Sequence, residues 1–134
     1  MTVELLYLDT SAIVKLVRPE AESRALAKRL AAPPWLVSSL LAQVEVGRAV
    51  TRFGRPASLV RAAIAVLDRI ALRRIDRAIV SHAASLGPAD LRALDAIHLA
   101  TALSLGPRLT AVITYDTRLA RAASSAGLVV ESPS

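Results

Sequence analysis

The stretch Leu91–Ala120, LRALDAIHLATALSLGPRLTAVITYDTRLA, decides how the rest of the chain is read. From Ala93 to Leu105 it is apolar or small all the way round a 3.6-residue period, which predicts a buried helix. Asp95 is the one ionisable acid in that helix. A buried carboxylate needs a cation or several hydrogen bonds, because without them it is costly or its pKa moves. Gly106-Pro107 supplies a turn, and Ala111-Val112-Ile113-Thr114 then reads as an interior strand. Asp116 sits two residues past the end of that strand. If helix and strand are neighbours, the stretch aims two carboxylates at one place.

Upstream, Glu4 to Leu8 is a short apolar run that predicts a buried strand, with Asp9-Thr10-Ser11 at its carboxyl end. A short helix follows from Ala12 to Val17, and a second from Ala21 to Leu30, stopped by Ala32-Pro33-Pro34. Trp35 to Val37 has the length of a strand only, with Trp35 expected in the core. Ser38 or Ser39 is suited to cap a helix over 40–53, ended by Gly54, and another helix fits 57–69. Ile70 to Ile75 resembles a strand carrying two outward arginines, and Asp76 caps a helix running to Leu86. Downstream of Asp116 a helix reaches about Ala126, Gly127 ends it, and Leu128-Val129-Val130 is a last strand. This alternation predicts one α/β domain over 1–134, with a parallel sheet of about five strands flanked by helices. In open parallel sheets, sites form beyond the carboxyl ends of strands. Asp9 and Asp116 both lie there.

Composition narrows the chemistry. Hydrophobic residues make up 54% of the chain and aromatics only 3%, so the core is built from Ala, Leu, Val and Ile. There is no cysteine, which excludes disulfides and thiolate metal sites. Met1–Glu4 has no basic start, and no uncharged apolar run reaches the ~18 residues of a membrane span. The expectation is a soluble, cytoplasmic protein without a membrane partner. Net charge is +6, with fifteen Arg against two Lys. That balance suits a polyanion, although heavy Ala and Arg usage also follows from a GC-rich genome.

Each acid has two readings when taken alone. Asp9 and Asp116 stand where helices begin, so each is a cap or a ligand. Glu45, in LLAQVEVGRAV, is a ligand or the partner of Arg48, with Leu41 and Arg52 also at helical spacing. Together the four point further. Carboxylates converging without Cys or His ligands form a hard-oxygen site, suited to Mg²⁺ or Mn²⁺ rather than Zn²⁺. Such a site polarises phosphates and activates water, and a polyanionic substrate then needs the metal and basic surroundings together. Ser11 and Thr114 stand close enough in sequence to hydrogen-bond these acids. His98, one helical turn after Asp95, is either a general base or a packed, hydrogen-bonded core histidine. His82 shows no partner and is given no role.

Four blocks resemble a known family: YLDTSA at 7–12, Glu45 in LLAQVEVGRA, LRALDAIHLATAL at 91–103 and TYDTRLA at 114–120. They look like the acidic blocks of PIN-domain ribonucleases, and length and block order look most like the VapC toxins of bacterial toxin–antitoxin pairs. The resemblance covers nearly the whole chain. It implies Asp9, Glu45, Asp95 and Asp116 as catalytic, metal-binding acids for Mg²⁺ or Mn²⁺, with Thr114 as helper. It also implies a sheet ordered 3-2-1-4-5, a structured RNA substrate such as transfer or ribosomal RNA, and a small cognate antitoxin. Arg48 and Arg52 are then candidates for contact with RNA or antitoxin.

A homodimer is expected as well. Val46, Val50, Phe53, Leu59, Ile64 and Leu67 offer more apolar surface than a small sheet covers, unless the monomer core takes them all, and the family looks dimeric through this region. Other classes fit less well. A receiver-type phosphoacceptor needs an adjacent acid pair after the first strand, and a haloacid-dehalogenase-like phosphatase needs a second Asp two residues after Asp9. Neither is present. A non-catalytic nucleic-acid-binding module explains the charge but not Asp95. An RNA-processing nuclease without a toxin role stays within the same family.

Overall fold

The computed structural model describes residues 3–32 and 34–134. Met1, Thr2 and Pro33, which bear on the start of the chain and on the stop near residue 33, lie outside the described residues. Five strands are formed, β1 (Leu5–Leu8), β2 (Trp35–Ser39), β3 (Ala71–Arg73), β4 (Ala111–Ile113) and β5 (Val130–Glu131). The helices are α1 (Thr10–Val17), α2 (Ser23–Arg29), α3 (Leu41–Arg52), α4 (Ala57–Asp68), α5 (Arg77–Ser85), α6 (Ala93–Leu103) and α7 (Thr117–Ser125). All strand pairs are parallel and the order is β3-β2-β1-β4-β5, as the resemblance implies.

The alternation of side chains along β1 sets the layers. Leu6 and Leu8 point to one face, where they pack with Ala12 and Ile13 of α1, Leu26 of α2, Val46 and Val50 of α3, and Ala63 of α4. Leu5 and Tyr7 point to the other, against Ala102 of α6, with α7 packed beside it through Leu99, Leu119, Ala122 and Ala123. Running from β1 to β2 to β3 places helices on the first face. Reversing direction to β4 and β5 places them on the second, because parallel crossovers are right-handed. The reversal falls between β1 and β4, whose register pairs Leu8 with Ile113. That is the crevice where a site is expected.

Some expectations shift. Trp35 is 59% exposed rather than part of the core. It is the first residue of β2, at the amino rim of the sheet, where Val3 and Val129 are also more than half exposed. Neither helix layer covers that rim. The third strand spans only Ala71–Arg73, and the fifth begins at Val130, because Leu128 instead packs against α6 and α7. The first turn of α6 emerges from the core, leaving Leu94 48% exposed while Leu99, Ala100 and Ala102 are buried. Val46 and Val50 belong to the monomer core and Leu59 and Leu67 pack against it, but Phe53 and Ile64 stay exposed. Among the described residues, no helix is long and apolar enough to cross a membrane.

Candidate active site

Both strand-end aspartates are helix caps. Asp9 Oδ1 accepts from the Ala12 N–H at 3.1 Å at the start of α1. Asp116 Oδ1 accepts from the N–H groups of Arg118 and Leu119, at 2.9 and 3.2 Å, at the start of α7. Capping and ligation are compatible here. A carboxylate has four lone-pair directions, and Oδ2 of Asp116 takes no hydrogen bond among the described residues.

Two hydroxyls join these strand ends. Thr114, fully buried, donates to Asp9 Oδ2 at 2.6 Å and accepts from the Asp116 N–H at 3.0 Å. Ser11 donates to Asp9 Oδ1 at 2.7 Å and accepts from the Tyr115 N–H at 2.9 Å. Asp9 is only 4% exposed. Burial pushes its carboxyl above the ordinary range, against the pull of Thr114, Ser11, the Ala12 N–H and His98.

Glu45 reaches the same end of the sheet from the second turn of α3, just after β2. It does not pair with Arg48. Its Oε1 accepts from Thr10 Oγ1 at 2.5 Å and from His98 Nε2 at 2.7 Å. Burial opposes its ionisation, but the bonds from His98 and Thr10 outweigh this and hold the carboxyl below the usual value. Asp95, in the first turn of α6, has no hydrogen-bond or ion-pair partner among the described residues. Burial pushes its carboxyl up, and the charge of Asp116 pushes it further. His98 pulls it down, while Asp9 and Glu45 add smaller upward pushes. The four acids therefore share one electrostatic neighbourhood.

His98 is 2% exposed and bonded at both nitrogens, Nδ1 to the Tyr7 hydroxyl at 2.7 Å and Nε2 to Glu45. His82 is exposed on α5. Arg48 and Arg52 are exposed on α3, and Arg48 lines a groove of about 650 Å³ between α3 and α4 with Val44, Gly47, Arg55, Ile64 and Leu67. Two site residues have no role in the sequence reading although both stand in the block YLDTSA: Thr10, next to Asp9, and Tyr7, whose even spacing from Leu5 turns it toward α6.

Among the described residues, no three His, Asp or Glu side chains stand close enough to cage a metal ion directly. The donors are nevertheless all carboxylate and hydroxyl oxygens. Mg²⁺ typically keeps several waters and takes one or two direct carboxylates, so acids that form no closed cage are compatible with it.

The family model of the PIN domain matches residues 6–124. The chain is 47% identical over 130 residues to Ribonuclease VapC46 of Mycobacterium tuberculosis, a match covering 96% of this chain and 98% of that protein. Among solved structures, it resembles VapC20 of Mycobacterium tuberculosis, a sarcin-ricin loop cleaving toxin, with a TM-score of 0.71 over 92% of this chain and 96% of that one. At 21% identity that likeness speaks for the fold alone. A toxin–antitoxin complex from Klebsiella pneumoniae matches at 26% identity and a TM-score of 0.66, covering 84% of this chain and 88% of that one. With Asp9 and Asp116 joined through Thr114 at the β1–β4 crevice and these relatives along nearly its full length, the chain belongs to the PIN-domain family, among the VapC ribonucleases.

Proposed function

We propose that this ribonuclease is a metal-dependent endonuclease of structured RNA and the toxin of a VapBC-type pair, working in the cytoplasm. Asp95 carries the proposal. A half-buried carboxylate, unpartnered and pushed up by burial and three neighbouring acids, is unfavourable until a cation arrives. Asp9, Glu45, Asp95 and Asp116 would hold Mg²⁺ or Mn²⁺, directly or through water. A bound divalent ion would polarise the phosphate and make a bound water more acidic, and so a better nucleophile, than bulk water. The chain's own residues do the rest. Thr114 and Ser11 keep Asp9 ionisable and aimed, and the α7 N–H groups hold Asp116 by one oxygen only. Exposed arginines, Arg48 and Arg52 among them, offset the repulsion between an acidic site and a phosphate backbone.

The antitoxin is assigned to the α3–α4 groove. Its floor is apolar, and Arg48 and Arg55 outnumber Asp68, the one acid that lines it, which suits an amphipathic helix with acidic flanks. A basic side chain of that partner would meet the open acids through charge-assisted pairs and exclude metal and RNA together. A homodimer rests on Phe53, exposed at the end of α3 and not among the residues that line this groove. Light scattering at micromolar concentration should give twice the 14.2 kDa of one chain, and a 14.2 kDa species rejects the dimer. The toxin role is tested by induction in cells. Wild type should arrest growth, Asp9→Asn and Asp116→Asn should not, and co-expression of the adjacent small gene should restore growth. Equal growth of all three with soluble wild-type protein favours an RNA-processing nuclease.

A further inference from the structure

Among the described residues, the buried hydrophobic ones other than Tyr7 are all Ala, Leu, Val or Ile, and beside the small hydroxyls of Ser38, Ser39, Thr101 and Thr114 the interior holds two large polar rings, Tyr7 and His98, at 0% and 2% exposure. Burying a polar atom is costly unless it is bonded, and a Phe–Leu pair would fill the same space without that requirement. Their geometry forms a directed chain. Glu45 as a carboxylate only accepts, so His98 Nε2 carries the hydrogen of the 2.7 Å bond. Nδ1 meets the Tyr7 hydroxyl at 2.7 Å, accepting from it when the ring is neutral and donating to it when the ring is charged. The two rings meet edge to face, with centroids 5.9 Å apart and planes at 75°, so the imidazole has little room to turn. Thr10 adds a second donor to the same carboxylate oxygen. Both donors fall on Oε1, and none among the described residues falls on Oε2.

We propose that His98 is a positioning residue for Glu45: fixed by Tyr7, it anchors Oε1 and leaves Oε2 as the oxygen offered to a divalent ion. This inference rests on the metal-dependent nuclease proposed above. His98 itself touches neither substrate nor ion and is not a general base here, since Tyr7 and Glu45 occupy both its nitrogens. Tyr7, on the strand that carries Asp9, thereby couples the orientation of Glu45 on α3 to β1 and α6. The alternative is a histidine that merely satisfies its own burial.

The two differ in metal affinity, not only in stability. Mn²⁺ binding is measured by calorimetry on purified, RNA-free protein for wild type, His98→Leu, His98→Gln and Tyr7→Phe, with melting temperature recorded for each. Loss of a hydrogen-bond partner behind a ligand typically costs about 10–100-fold in metal affinity. His98→Leu should weaken Mn²⁺ by roughly that factor, and Tyr7→Phe by less. His98→Gln retains an N–H donor and should recover most of the loss. In cleavage assays at limiting Mn²⁺ the same order should appear in kcat with KM for RNA unchanged. If His98→Leu fails to fold, Tyr7→Phe carries the comparison. Folded variants that bind Mn²⁺ as tightly as a binding-competent wild type overturn the positioning role alone. A wild type that binds no Mn²⁺ overturns the metal-dependent nuclease as well.

Discussion

Thr114→Val removes one hydroxyl from the centre of the site while keeping the side chain's shape. The hydroxyl donates to Asp9 Oδ2 at 2.6 Å and accepts from the Asp116 N–H at 3.0 Å. A hydrogen bond to a buried charged group contributes about 1.5–3 kcal/mol, and the N–H left behind adds about 1 kcal/mol. The expected loss is about 3 kcal/mol, or roughly 10 °C in melting temperature for a domain of this size. Thr114→Ser keeps both bonds and loses a methyl group, at about 1 kcal/mol. The deficit should also depend on pH. Burial raises the Asp9 carboxyl in the fold, so its contribution to stability is full below the unfolded pKa of about 4 and is lost as pH rises through the folded value. Thr114 favours the ionised form, so its removal raises the folded pKa further and enlarges that loss. The gap between wild type and Thr114→Val should widen as pH rises from 4 and Asp9 ionises. Thermal melts by circular dichroism in chelator, at pH 4 to 8, measure it. Equal melting of the Val and Ser variants at pH 7.5 would refute the role given to this hydroxyl.

Asp95→Asn should raise the melting temperature of metal-free protein at neutral pH. Its raised carboxyl contributes stability that is present below about pH 4 and lost as pH rises through the folded pKa, so the gain should vanish on acidification; a variant that unfolds contradicts this. Added Mn²⁺ should stabilise wild type more than Asp95→Asn, and equal shifts would remove Asp95 from the metal site. Arg29 grips Glu4 and Glu131 through four hydrogen bonds of 2.6–3.1 Å, tying α2 to the residue before β1 and to β5 itself. Arg29→Ala should lower the melting temperature by a few degrees without affecting cleavage. The deficit should shrink in 1 M salt, where the screening length is about 3 Å, and a deficit unchanged by salt would refute an ionic clamp.

The order of elements was legible because long apolar runs broken by Gly and Pro leave few alternatives in a chain of this size. Asp76 and Asp116 cap where their positions predicted, and Leu41 N–H bonds Ser39 Oγ at 3.1 Å at the start of α3. Strand limits were less visible. A two-residue edge strand such as β5 shows no period, and tertiary packing of Leu128 decided where it starts. Trp35 misled because a large aromatic signals burial on average, whereas exposure here follows from its place at the sheet rim. Four acids could be singled out by context, two after strands and two in apolar helices. Their partners could not. Glu45 stands at helical spacing from Arg48, but its actual partner His98 lies 53 residues away on the other face of the sheet. Only the fold brings them together.

Cleavage of RNA by purified protein tests the central claim most directly. Total RNA incubated with wild type in Mn²⁺ or Mg²⁺, with 5′ ends mapped by sequencing, should yield a small set of discrete cuts. Chelator should abolish them, and Asp9→Asn or Asp116→Asn, purified in parallel and equally folded, should reduce their rate by orders of magnitude. RNA bound but uncut by wild type, or cuts of equal rate in the Asp→Asn proteins, would contradict a nuclease built on these four acids.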